Sequence, residues 1–114
     1  MSAITTHVLD TARGKPASGV PIVLEIATAD GSWDQLGRGQ TDDDGRLRTL
    51  LAEGPRPAAG IYRLTFDTDS YFGALGIEGF YPSAQIVFRL SAPEQHYHVP
   101  LLLSPFGYST YRGS

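Results

Sequence analysis

No cysteine occurs among the 114 residues, which excludes disulfides, thiolate nucleophiles and cysteine-ligated zinc and leaves packing alone to hold the fold. An excess of cations is missing too. Nine Lys and Arg stand against twelve Asp and Glu, for a formal net charge of −3 and a pI near 5.4, so there is no basic footprint for nucleic acid. No apolar stretch approaches the roughly 20 residues that cross a bilayer, because Glu25, Arg63, Arg89 and many glycines interrupt every candidate. The opening residues Met1 to Leu9 have neither a basic head nor an apolar run before a small-residue cleavage site, so no signal peptide is expected and a cytoplasmic location follows as the default. The ending Arg112-Gly113-Ser114 is not a peroxisomal address.

What is present suits a single folded domain over residues 1–114: 41% hydrophobic and 18% charged residues at a length near the commonest domain size. Short alternating runs separated by Gly, Pro and Asp recur along the chain, the pattern of an antiparallel all-β sandwich or barrel. The expected strands cover residues 5–10, 20–27, 33–41, 47–50, 60–67, 84–90, 95–103 and 107–112. Turn chemistry comes from Gly-Lys-Pro, Ala-Asp-Gly, Asp-Asp-Gly and Gly54-Pro55-Arg56-Pro57. In the second run Val20, Ile22, Leu24 and Ile26 share one face, as do Tyr62, Leu64 and Phe66, and Ile86, Phe88 and Leu90, in later runs. One short helix is expected near residues 69–75, capped by Asp67, Thr68 or Asp69 and closed by Gly76 in the left-handed region.

The most informative stretch is His96-Tyr97-His98-Val99-Pro100-Leu101-Leu102-Leu103. As a strand it turns Tyr97, Val99, Leu101 and Leu103 to the core and both histidines outward, onto a face that still carries Pro100 and Leu102. Such a mixed face suits an interface or a cleft. His7 lies outward in the same way, with Thr5 and Leu9, if Ile4 and Val8 face the core. Converging histidines could activate a water near neutral pH; the plainer alternative is a set of ordinary surface side chains. Three histidines also raise a His-coordinated zinc hydrolase as an alternative, although no Asp or Glu stands out to orient them.

Arg46 and Arg48 flank an inward Leu47, so both guanidiniums face out, either solvated or holding a carbonyl or urea-like edge. The preceding Asp42-Asp43-Asp44-Gly45 lacks the glutamate of a twelve-residue calcium loop and reads as a solvated turn. The tail after Ser104 carries Phe106, Tyr108, Tyr111 and Arg112, an aromatic content expected of a docked edge strand covered by a second copy of the chain.

Four segments in order, Thr6-His7-Val8-Leu9-Asp10 with Arg13-Gly14-Lys15-Pro16-Ala17, then Asp44-Gly45-Arg46, then His96 through Pro105, and finally Tyr111-Arg112-Gly113-Ser114, resemble the transthyretin-like family in its 5-hydroxyisourate hydrolase branch. The resemblance runs over nearly the whole chain, and its last two segments are the most specific. It implies a transthyretin-like, two-sheet Greek-key sandwich of about eight strands with one short helix, assembled as a homotetramer with active sites in clefts between dimers. It further implies hydrolytic opening of the lactam ring of 5-hydroxyisourate in urate degradation, with no metal or organic cofactor. The catalytic positions fall by that resemblance on His7, Arg46 and His98, and the substrate-binding ending on Tyr111, Arg112, Gly113 and Ser114. His96 and Arg48 would be neighbours. The rival within the same fold is a carrier of small hydrophobic ligands, which that branch resembles poorly at these positions.

Overall fold

The alternating runs form two packed sheets in a computed structural model that describes residues 3–51 and 56–114. Gly54 and Pro55 of the anticipated Gly-Pro-Arg-Pro turn, and the first two residues, lie outside that range. One sheet has the order β2 (Lys15–Pro16), β1 (Ile4–Asp10), β8 (Tyr97–Ser104), β9 (Gly107–Thr110), with β5 (Arg46–Leu47) also pairing with β1. The second runs β4 (Trp33–Gln40), β3 (Pro21–Ala27), β6 (Gly60–Phe66), β7 (Ala84–Leu90).

The period-two pattern decides which face of each strand is buried. Ile22 and Leu24 of β3, Tyr62, Leu64 and Phe66 of β6, and Tyr97, Val99, Leu101 and Leu103 of β8 meet Ile4 and Val8 of β1 in one core. Burying such side chains supplies about 1.5–3 kcal/mol each. The helix α1 (Thr68–Ala74) starts where Asp67 accepts a hydrogen bond from the backbone N–H of Ser70 at 3.0 Å, and Gly76 follows its end at φ 69°.

Three findings differ from the sequence reading. β1 and β8 run parallel, Thr5 opposite His98 and Val8 opposite Leu101, inside a sheet otherwise antiparallel. A sequence pattern sets faces but not strand direction. The run expected over residues 47–50 is only the two-residue β5, because its ladder to β1 stops at Leu47. The histidine strand starts at Tyr97, not residue 95, after a turn closed by Gln95 N–H donating to the carbonyl of Ala92 at 3.0 Å.

Candidate functional site

β1 lies in the middle of the site, and its outward side chains determine the layout. On one flank His7 is opposite Arg46 of β5; on the other Thr5 is opposite His98 of β8. Beyond His98 the tail returns, with the N–H of Gly113 donating to the His98 carbonyl at 2.8 Å. A Cβ built on Gly113 would stand 2.6 Å from Cδ2 of His98, so the close approach requires glycine. Ser114 is thereby brought to a cleft of about 250 Å³ lined by Thr5, Thr6, Arg46, Arg48, His96, His98 and Ser114.

Arg46 is placed by the aspartate turn. One carboxylate oxygen of Asp42 accepts from the backbone N–H of Asp44 and of Arg46, each at 2.9 Å. Gly45, at φ 75°, turns the chain so that its carbonyl accepts from the N–H of Val8 at 2.7 Å. Those donors, that of Arg46 foremost, hold the Asp42 carboxyl below the usual carboxylate range. Asp42 thus serves the turn, as the solvated-turn reading anticipated, and only at 3.9 Å does it reach Arg48.

Nε2 of His7 lies 2.9 Å from the carbonyl oxygen of Asp44. A carbonyl only accepts, so Nε2 carries the proton and Nδ1 is the basic nitrogen of the neutral ring. Nδ1 of His98 lies 2.8 Å from the Thr5 hydroxyl. Burial, then the Arg46 guanidinium, holds His7 below the ordinary value of 6.5. Burial is also the first cause for His98, followed by Arg46, His7 and His96. Both rings are therefore mostly neutral at pH 7, the state in which an imidazole accepts a proton.

The anticipated residues do not all converge. Arg46, His98 and Ser114 share the cleft; His7 flanks Arg46 but is not part of the lining. Tyr111 and Arg112 line a separate apolar groove with Ile86, Phe88, Tyr97 and Val99. There Arg112 stacks 4.5 Å from the Tyr97 ring centroid and donates to Gln95 Oε1 at 3.0 Å. Among the described residues no three His, Asp or Glu side chains are arranged to hold a metal ion, so the three histidines do not assemble into the zinc set considered above. Sequence reasoning gave no role to Thr5, although it placed that residue outward beside His7. The Asp44 carbonyl, a backbone group, left no signal at all.

Residues 4–113 match the HIUase/Transthyretin family. The chain is 48% identical over 111 residues to the 5-hydroxyisourate hydrolase of Salmonella typhimurium, covering 97% of this chain and 80% of that one. It is similar to the structure of Klebsiella pneumoniae 5-hydroxyisourate hydrolase at TM-score 0.85 and 40% identity, with all of both chains covered. Sea bream transthyretin in complex with thyroxine matches at TM-score 0.89 and 39% identity, over 97% of this chain and 94% of that one.

Proposed function

We propose, from the premise that this chain belongs to the HIUase/Transthyretin family, that it hydrolyses the lactam ring of 5-hydroxyisourate. The observation that carries this reading is one cleft holding the His98 imidazole, kept neutral near pH 7 by burial, together with two guanidiniums and the Ser114 hydroxyl. Opening a lactam requires a base for water, donors for the oxyanion and something to hold the ring. His98 is the base: it lines the cleft, and its Nδ1 bond to Thr5 leaves Nε2 for the water. Arg46, with Arg48 beside it, offers forked donors to the carbonyl oxygens and to the charge that develops on them. His7, held by the Asp44 carbonyl, orients the water or the ring from the Arg46 side. Ser114 contributes its hydroxyl, and Tyr111, Arg112 and Gly113 seat it and complete the substrate-binding segment. No cofactor enters this scheme.

Carriage of a hydrophobic ligand is the rival that the sea bream match raises, since the two functions share one fold. The polar lining of the cleft favours the hydrolase. We place the protein in the cytoplasm, in a homotetramer whose second copy closes the cleft. No helix of the described residues is long and apolar enough to cross a membrane.

Freshly generated 5-hydroxyisourate followed by its ultraviolet absorbance provides the test. The protein should speed its decay well beyond the spontaneous rate, and the loss in His98→Ala should be on the order of a hundredfold or more. Decay at the spontaneous rate with intact protein would end the hydrolase reading.

A further inference from the structure

The hydroxyl of Thr5 stands between two imidazoles. Its Oγ1 is 2.8 Å from Nδ1 of His98 and 3.0 Å from Nε2 of His96, and Thr5 is only 4% exposed, which keeps water from replacing either partner. A hydroxyl has one proton to donate and two lone pairs to accept with. It donates to one of these nitrogens at most, so the other must carry its own proton and donate to the hydroxyl. The two ring nitrogens are therefore linked through a single oxygen.

Two polarities satisfy all three groups. In the first, His96 donates from Nε2, Thr5 donates to Nδ1 of His98, and neutral His98 keeps its proton on Nε2. Its free side is then a donor. In the second, His98 donates from Nδ1, Thr5 donates to Nε2 of His96, and Nε2 of His98 is bare. Only this second form is a base toward the cleft. The charges around the ring choose between them. Arg46 and Arg48 line the same cleft and bring donors alone, so beside them a lone pair on Nε2 is favoured over an N–H, while the Ser114 hydroxyl, which donates as well as accepts, suits either form. His96 is exposed, and water readily satisfies the N–H it then keeps on Nδ1.

We propose that Thr5 and His96 are positioning residues that hold His98 in the Nδ1–H tautomer, with Nε2 bare toward the cleft. The inference rests on the reading above that His98 is the base. His96, otherwise only a neighbour, acquires a defined role: its Nε2 takes the Thr5 proton, so that Thr5 has reason to accept from His98. A wrongly placed proton disables a general base even where the ring has not moved.

Protein labelled with 15N-histidine tests this, because the ring nitrogens of His98 report directly which of them is protonated. In the intact protein Nδ1 should be the protonated one. Thr5→Val, which keeps the shape and removes the hydroxyl, should populate the other tautomer and lower kcat by about tenfold or more with KM little changed. Thr5→Ser should restore both the signal and the rate. His96→Phe, at an exposed position, should move the His98 signals the same way, and adding it to Thr5→Val should cost nothing further. A protonated Nε2 in the intact enzyme, or full kcat in both Thr5→Val and His96→Phe, would overturn the proposal. Failure of the hydrolase reading is distinct: the intact protein would then not accelerate decay at all.

Discussion

At the scale of single residues, the site depends on a few atoms that stand very close together. Gly113 shows this best, since any side chain there would enter the space of the His98 ring. Gly113→Ala should therefore reduce turnover far more than it reduces stability, because the displaced ring is exposed to the cleft while the core below it is intact. A thermal melt beside the decay assay separates the two, and unchanged kcat would show that the tail yields instead. The pH profile belongs to this scale as well. His98 is held below 6.5, first by burial, so the acid limb of kcat/KM should fall at an apparent pKa under 6.5. Stability follows the same sign. The unfolded chain binds these protons more readily than the folded one, so stability is unpenalised above 6.5 and declines as pH falls from there toward the lowered values of His7 and His98. Denaturant midpoints that stay flat between neutral pH and about pH 5 would contradict this.

At the scale of elements, β1 is tied to the helix at its last residue. Its last residue, Asp10, is 1% exposed, accepts from the Tyr71 hydroxyl of α1 at 2.6 Å and accepts from the N–H of Arg13 at 3.0 Å. The helix and the central strand are thus joined through a buried carboxylate. Tyr71→Phe should leave that oxygen without its donor and destabilise the protein by about 1–3 kcal/mol, read as a lower denaturant midpoint. Activity per folded molecule should be little changed, as the joint lies at the opposite end of β1 from Thr5. The Asp42 turn acts differently. It clamps the backbone of Arg46, so Asp42→Ala should loosen the guanidinium and raise KM for the substrate before it affects the fold.

At the scale of the whole molecule, each sheet has at one edge a strand that no further strand of the described residues pairs with, β9 in one and β7 in the other. Val87 is 58% exposed on β7, and Tyr111 is 57% exposed just past β9. Exposed edges of this kind pair with another chain unless something blocks them. Sedimentation at micromolar concentration should accordingly give four times the 12.3 kDa chain mass. Val87→Lys, a charge of the type that natural edges use against pairing, should shift the protein toward smaller species. A monomer in the unaltered protein would leave the cleft open to solvent and remove the proposed closure by a second copy.

Alternation every two residues was enough to assign the buried face of β3, β6 and β8 and to turn His7 and His98 away from the core, because a strand's side chains have no other geometry available. The helix and its Asp67 cap were legible for a similar reason: their hydrogen bonds join residues close together in the chain. Contacts between distant segments were not. The parallel pairing that sets Thr5 opposite His98, the turn of His7 toward a backbone carbonyl, and the separation of Tyr111 and Arg112 from Ser114 all depend on which strand lies beside which. Local pattern carries no information about that choice; it is made only when the two sheets close over a common core and bring together residues as far apart in the chain as Thr5 and His98.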